Sequence, residues 1–249
     1  MINEVWKGDC LEEMKNIEDG SIDAIICDLP YGTTACKWDT VIPFEPLWEQ
    51  YNRIIKTNGA IVLFGSEPFS SALRMSNIKN YKYDWIWEKQ NGSNSMLCKK
   101  QPLKFHENIS LFYKKQTNYN PQMWEGKPNH TRKYEGKYKK NTITNTTIKE
   151  LKQNTNGIKY PRTIIKFNSI RTNKLHPTQK PVALIEYLIK TYTNEGDLVL
   201  DNCAGSGTCG VSAQNTKRNF ILIEKEQEYI NIINKRLSSL EKEIINPKE

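Results

Sequence analysis

The chain has 249 residues and a net charge of +8, from 36 Lys and Arg against 28 Asp and Glu. That length accommodates one sizeable α/β domain with a smaller insertion. No run approaches the ~20 apolar residues of a membrane span, and the first residues form no apolar signal stretch, so we expect a soluble cytoplasmic protein with no membrane partner. The six cysteines include no CxxC pair and do not cluster with the three histidines, which predicts free thiols and no metal site.

The first part of the chain alternates apolar and amphipathic segments. Apolar runs predict strands at Ile22 to Cys27 and Ala60 to Phe64. The spacing of apolar residues between them predicts a helix over Pro46 to Lys56, which Asn58-Gly59 ends. Tyr81 to Trp87 and Ile109 to Tyr113, rich in aromatic and β-branched residues, predict two further strands. This alternation is typical of a parallel sheet covered by helices.

The motif Asp28-Leu29-Pro30-Tyr31-Gly32 directly follows the first predicted strand. It places a carboxylate, a backbone carbonyl and an aromatic face together at a strand end, which are the groups needed to hold an exocyclic amino group of a flat heterocycle. Alone, the motif is more typical of an ordinary turn, because Pro and Gly are common in turns. Its interpretation therefore depends on a second motif downstream.

The middle of the chain, Lys114 to Lys174, is strongly basic. It holds 15 Lys and Arg but only three acids, whereas the rest of the chain carries 21 basic and 25 acidic residues. Periodicity is lost there, which predicts an insertion with little core of its own. Cations interleaved with aromatic rings are what a nucleic-acid surface needs, and His130 and Arg132 are candidates for base contacts.

Regular periodicity returns after His176. The pattern predicts three helices and two strands in the order helix, strand, helix, strand, helix, over Pro181 to Tyr192, Asp197 to Leu200, Thr208 to Thr216, Phe220 to Ile223 and Glu226 to Leu240.

A glycine loop lies inside this region. Gly205-Ser206-Gly207-Thr208-Cys209-Gly210 is a G-x-G-x-x-G motif between a predicted strand and a predicted helix, and Glu224 follows about nineteen positions later. This context predicts a nucleoside-containing ligand, with glycines allowing close backbone approach and the acid holding ribose hydroxyls. Both a nicotinamide dehydrogenase and an S-adenosylmethionine enzyme fit the loop, although Asp201 before it suits the ammonium group of S-adenosylmethionine.

Three motifs in order make the chain resemble the amino methyltransferases that modify DNA, in their β-class arrangement. They are Asp28 to Tyr31, then His176-Pro177-Thr178-Gln179-Lys180-Pro181, then Asp201 to Gly207. The resemblance implies a Rossmann-like α/β fold, with a mostly parallel sheet, helices on both faces and a circularly permuted order of motifs. It also implies a catalytic half over 1–113, a basic target-recognition insertion over 114–174 and an S-adenosylmethionine-binding half over 175–249.

The resemblance assigns site residues by matching motif positions. The catalytic residues are Asp28, Leu29, Pro30 and Tyr31, with Tyr31 stacking on an extruded base. The cofactor residues are Asp9, Cys10, Asp28, His176, Thr178, Gln179, Lys180, Asp201, Ala204, Gly205, Ser206, Gly207, Thr208 and Glu224.

Three positions depart from the family pattern. Leu29 replaces the usual first Pro, but the contact expected there is a backbone carbonyl that any residue supplies. Asn202 and Cys203 replace Pro and Phe before the glycines, which affects the packing around the cofactor.

The resemblance implies a methyl transfer from S-adenosylmethionine to adenine N6 in double-stranded DNA, because Asp at position 28 usually accompanies that base. Base flipping is implied, since a paired base is unreachable inside a duplex. Three alternatives stay open: a cytosine-N4 enzyme, an RNA adenine methyltransferase and a DNA-binding protein that no longer catalyses. A second copy of the chain and a cognate restriction endonuclease are further candidate partners, and the resemblance implies a prokaryotic or phage origin.

Overall fold

The computed structural model of the protein describes residues 2–34, 36, 39–127 and 157–245. The candidate base contacts His130 and Arg132 lie outside these residues. The chain divides into two compact units, Met1–Asn120 with Thr163–Glu249, and Pro121–Arg162.

An eight-stranded sheet forms the centre of the larger unit. In chain order its strands are β1 (Glu4–Lys7), β2 (Ile22–Cys27), β3 (Ile55–Gly65), β4 (Tyr81–Ser93), β5 (Lys104–Phe112), β8 (Ile164–Lys166), β9 (Leu198–Asp201) and β10 (Asn219–Glu224). Strands β6 (Trp124–Glu125) and β7 (Ile158–Lys159) belong to the smaller unit. The order across the sheet is β1-β10-β9-β2-β3-β5-β4-β8. Only β5 runs antiparallel to its neighbours β3 and β4, so the sheet is mostly parallel as predicted.

Helices cover both faces of this sheet. They are α1 (Cys10–Glu13), α2 (Phe44–Ile54), α3 (Phe69–Ser76), α4 (Val182–Tyr192), α5 (Thr208–Asn215) and α6 (Gln227–Ile245). Side chains of β2 alternate between the two cores: Ala24 and Ile26 pack with α4, α5 and α6, whereas Ile22, Ile25 and Cys27 pack with α1, α2 and α3. The predicted Rossmann-like α/β fold with two covered faces is confirmed.

Several elements differ from the sequence-based expectation, among them α1, α3 and β8, which were not predicted. Strand β1 was not predicted; it is a short edge strand that pairs with β10. The helix predicted to end at Asn58-Gly59 ends at Ile54, and β3 begins at once. Gly59 lies inside β3, where an added Cβ would lie 2.9 Å from the Asp23 carbonyl oxygen, so this glycine permits a close strand approach and does not end a helix.

The smaller unit contains a two-stranded antiparallel ribbon of β6 (Trp124–Glu125) and β7 (Ile158–Lys159). The Trp124 indole donates a hydrogen bond to the Tyr160 carbonyl oxygen at 2.9 Å, and the Arg162 guanidinium lies 4.9 Å from the centroid of its ring. Among the helices that the structure describes, none has the length and apolar character to cross a membrane.

Candidate active site

The Asp28 to Tyr31 motif and the Asp201 to Gly207 motif meet at one edge of the sheet. Strands β2 and β9 are parallel neighbours, with Ala24 opposite Val199 and Ile25 opposite Leu200. Their carboxyl ends therefore bring Asp28 and the loop after Asp201 to the same crevice, as the topology of an open parallel sheet requires. A cavity of about 1210 Å³ opens there.

Nearly all residues assigned from the motifs line this cavity. They are Asp9, Cys10, Asp28, Leu29, Pro30, Tyr31, His176, Thr178, Gln179, Lys180, Asp201, Ala204, Gly205, Ser206, Thr208 and Glu224. Gly207 does not line it. This residue has a φ of +75° and an added Cβ would lie 2.8 Å from Ile233, so its task is to let the loop turn against α6.

The glycine loop is held by the acid at the end of the next strand. Glu224 accepts hydrogen bonds from the backbone N–H of Gly205 at 2.7 Å, of Lys225 at 2.8 Å and of Glu226 at 2.9 Å. Burial raises the pKa of Glu224, and these three N–H groups oppose the rise. Gly205 itself has a φ of +52°, which side chains rarely adopt. The loop and Glu224 thus form one hydrogen-bonded cradle.

Asp201 is a buried carboxylate at the end of β9. One of its oxygens accepts the Cys203 backbone N–H at 3.1 Å. Burial is the main cause that raises the pKa of Asp201 to about 7. A bound cation would favour the ionised form of this carboxylate.

Position 202 is part of the core beneath the loop. The buried hydroxyl of Tyr51 donates to the Asn202 side-chain oxygen at 2.6 Å. This bond links α2 to the glycine loop and gives a physical reason for Asn at that position.

The segment from His176 to Lys180 forms one wall of the cavity, packs against α6 and is held by a hydrogen bond within its own loop. The His176 ring meets the Tyr229 ring edge-on at 4.4 Å between centroids. Burial, aided by the Lys180 charge, lowers the pKa of His176 to about 4, so the ring is neutral at physiological pH. The Gln179 side chain accepts the Leu175 N–H at 2.9 Å and so closes the loop.

The Asp28 carboxylate is bonded through both of its oxygens. The Tyr31 hydroxyl donates to Oδ1 and the Lys180 ammonium donates to Oδ2. The Tyr31 ring also packs on Phe69, 5.0 Å between centroids. Lys180, which the motifs assign to the cofactor residues, therefore contacts the Asp28 to Tyr31 motif directly.

Three charged residues near the motif were missed by sequence reasoning. Asp39 accepts the backbone N–H groups of Gly32 at 2.9 Å, Thr33 at 2.9 Å and Thr34 at 2.6 Å, which holds the chain just after the motif. Glu107 and Lys89 lie on β5 and β4, line the cavity and form a 3.0 Å ion pair. Both strands carry other charged side chains, such as Asp84 on β4 and Lys104 on β5, so the sequence alone does not single out Glu107 and Lys89.

At Asp9, near the start of the chain, the side chain caps α1 by accepting the Leu11 N–H at 3.0 Å. The cysteines of the described residues are all free thiols. In the described part of the chain, no group of three or more His, Cys, Asp or Glu could hold a metal ion.

The chain is similar in sequence to known DNA methyltransferases. A family model described as DNA methylase, of the N6/N4 methyltransferases, matches residues 22–235. The type II methyltransferase M.HinfI of Haemophilus influenzae is 28% identical over 96% of this chain and 69% of its own length. The type II methyltransferase M1.MboII of Moraxella bovis is 27% identical over 96% of this chain and 98% of its own.

Solved structures also resemble this fold. A crystal structure of a complex of M1.HpyAVI with SAM superposes with a TM-score of 0.64 and 28% identity, covering 94% of this chain and 98% of that one. The cytosine-N4-specific PvuII DNA methyltransferase has a TM-score of 0.69 at 16% identity, covering 98% of this chain and 93% of that one, which is a likeness of fold alone.

Proposed function

Because the chain belongs to the DNA methylase family matched over residues 22–235, we propose that it methylates adenine N6 in double-stranded DNA. The methyl donor of this family is S-adenosylmethionine. The observation that carries the proposal is the position of Asp28 and Tyr31 on the same cavity as the glycine loop, so that a base amino group and a methyl donor can share one space.

The residues around the glycine loop suit S-adenosylmethionine. Asp201 offers a carboxylate to an ammonium group, and Glu224 offers one to ribose hydroxyls at the end of the next strand. Gly205 leaves the loop without a side chain where a ligand has to approach closely. When bound, the cofactor supplies a methyl group activated by its sulfonium. Thr178, Ser206 and Thr208 line the same cavity and add hydroxyl groups.

The catalytic motif suits an amino group that is a poor nucleophile. The lone pair of adenine N6 is delocalised into the ring. If the Asp28 carboxylate and the Leu29 carbonyl oxygen accept its two hydrogens, the nitrogen becomes tetrahedral and its lone pair is freed. The Asp28 carboxylate also stabilises positive charge as it forms on that nitrogen.

Tyr31 serves the base in two ways under this proposal. Its ring takes the place of the stacking that a flipped base loses. Its hydroxyl, now bonded to Asp28, has to share that oxygen with the incoming amino group. The Leu29 side chain is buried with a relative exposure of 3%, so its contribution to the base is limited to its backbone.

The proposal keeps the division into a catalytic half over 1–113, a target-recognition segment over 114–174 and a cofactor-binding half over 175–249. The basic segment sets phosphate contacts and salt dependence, and a few polar side chains in it read base edges. A second copy of the chain, a cognate restriction endonuclease and a cytoplasmic location stay predictions.

The test is the identity of the methylated base. Purified protein is incubated with radiolabelled S-adenosylmethionine and duplex DNA, and the DNA is digested to nucleosides. N6-methyladenine is the expected product. N4-methylcytosine alone would refute the choice of adenine, and transfer to RNA in preference to duplex DNA would refute the choice of polymer. Asp28→Ala should abolish transfer while calorimetry still detects cofactor binding; unchanged transfer would refute the role of Asp28.

A further inference from the structure

We infer that Lys180 and Glu107 are positioning residues for Asp28, and that Lys180 serves the reacting amino group through Asp28 and does not bind the cofactor. The inference rests on the proposed methyl transfer. Asp28 and Lys180 belong to two different sequence motifs, whereas Glu107 and Lys89 belong to none. Together the four side chains form a row of charges at the side of the cavity.

Four side chains of alternating charge form this row. The Lys180 ammonium donates to Asp28 and lies 3.4 Å from Glu107 Oε2. The other oxygen of Glu107 is 3.0 Å from the Lys89 ammonium. The side chains of Lys180, Glu107 and Lys89 are 9%, 18% and 12% exposed, so solvent screens these contacts poorly. Two anions and two cations make the row neutral, which reduces the cost of burying it.

The row joins separate parts of the sheet. Asp28 follows β2, Glu107 lies on β5, Lys89 lies on β4, and Lys180 comes just before α4. Lys180 also lies 5.2 Å from the centroid of the Phe64 ring on β3. Its ammonium thus lies between Asp28, Glu107 and an aromatic face. Its ion pairs with Asp28 and Glu107 are both on the catalytic side of the cavity.

Thermodynamic stability is a weak reason for such a row. Buried ion pairs often contribute little net stability, because the desolvation of both charges offsets their attraction. A fixed carboxylate, in contrast, is what the proposed reaction needs, since an amino group has to meet one oxygen of Asp28 in a defined direction. Lys180 holds Oδ2, and Glu107 in turn fixes where Lys180 lies.

The same row sets the charge of Asp28. Burial raises the pKa of Asp28, the Lys180 ammonium opposes that rise and the Glu107 carboxylate adds to it. Burial acts to lower the pKa of Lys180, but Asp28 and Glu107 raise it above its ordinary value, so Lys180 stays charged. Among the other groups that face Asp28, the Tyr31 hydroxyl lowers its pKa. The Asp201 carboxylate and the Cys27 thiol also interact with it.

Two substitutions should therefore shift the pKa of Asp28 in opposite directions. Lys180→Met removes the cation and should move the acid limb of the kcat profile to higher pH. Glu107→Gln removes the repelling anion while Lys180 stays paired, and should move that limb to lower pH. Ionisation of Asp28 changes about tenfold per pH unit on this limb, so shifts of half a unit are measurable. Lys190→Met, an exposed lysine on α4, is the matched control and should leave the limb in place.

The experiment measures kcat against pH at saturating S-adenosylmethionine and DNA, with the cofactor Kd from calorimetry. For Lys180→Met we expect kcat at neutral pH to fall by about tenfold or more, with a Kd within about threefold of the parent. A weaker Kd with an unchanged kcat would make Lys180 a cofactor ligand and overturn the inference. If Lys180→Met does not fold, the shift of the acid limb to lower pH in Glu107→Gln still tests the inference, and an unmoved limb in that variant would overturn it.

The two proposals fail in different ways. If the parent protein transfers no methyl group to any DNA, the proposed function is wrong and the positioning role falls with it. If the parent is active but neither variant moves the acid limb, only the positioning role is wrong.

Discussion

Replacing Asp201 by Asn should stabilise the cofactor-free protein and weaken cofactor binding at the same time. Asp201 is only 7% exposed, and burial raises the pKa of its carboxyl from an ordinary 3.8 to about 7. In the unfolded chain the same group ionises near its ordinary pKa. Folding therefore favours the protonated form, and the ionised form opposes folding.

The size of the effect follows from the pKa difference. Each pKa unit corresponds to about 1.4 kcal/mol, so the free energy of unfolding falls progressively as the pH rises from about 4 to 7, and the loss levels off at about 4 kcal/mol. Asn keeps an oxygen for the Cys203 N–H and carries no charge. Asp201→Asn should thus gain up to about 4 kcal/mol at pH 8 but less than about 2 kcal/mol at pH 5.

Urea unfolding without cofactor, at pH 5 and pH 8, measures this gain. Glu49→Gln, which removes an exposed acid on α2, is the control and should show no such gain. Calorimetry should find weaker S-adenosylmethionine binding by Asp201→Asn at pH 8, and in the parent the affinity should rise as the pH passes through about 7. An equal gain at both pH values, or a variant less stable than the parent at pH 8, would refute the reasoning.

Three further substitutions test other parts of the site. Glu224→Gln has one acceptor oxygen fewer for the glycine loop, so we expect calorimetry to find about tenfold weaker cofactor binding, or about 1.4 kcal/mol. Gly207→Ala forces a Cβ to within 2.8 Å of Ile233 at a φ of +75° and should lower the free energy of unfolding by about 1–3 kcal/mol in urea. Replacing Arg171 and Lys174, which line the cavity, by Ala should reduce the salt dependence of DNA binding by about two units of slope.

One result would contradict each of these three predictions. Unchanged cofactor affinity in Glu224→Gln would mean that the backbone holds the loop without the acid. Full stability of Gly207→Ala would mean that α6 can move away from the loop. An unchanged salt slope would exclude Arg171 and Lys174 from phosphate contact.

The sequence predicts those parts of the site that depend on neighbours along the chain. The β2 strand is apolar apart from Asp23, and its bounds agree with the prediction from Ile22 to Cys27. Because parallel strands end at the same edge, the approach of Asp28 to Gly205 follows from strand order alone. Lys180 is different: its partner Asp28 follows β2 and its partner Glu107 lies on β5, far away along the chain, and a single sequence contains no signal for such pairs.

At the α2–β3 junction the predicted helix end was wrong for another reason. Asn-Gly is a common helix-ending pair, and the prediction used it in that sense. Gly59 is required instead by the carbonyl of Asp23 on a neighbouring strand. Local propensity and tertiary packing select the same residue for different reasons, and only the neighbouring strand distinguishes them.

The pairing of β2 with β9 also has a consequence for synthesis of the protein. These two strands lie side by side under the site, yet 170 residues of chain lie between them. A ribosome therefore completes the Asp28 to Tyr31 motif long before β9 emerges, and no nascent chain can bring this motif to the glycine loop until that loop has been translated. The same separation makes the molecule a candidate for division into two inactive fragments that regain methyl transfer only when they associate.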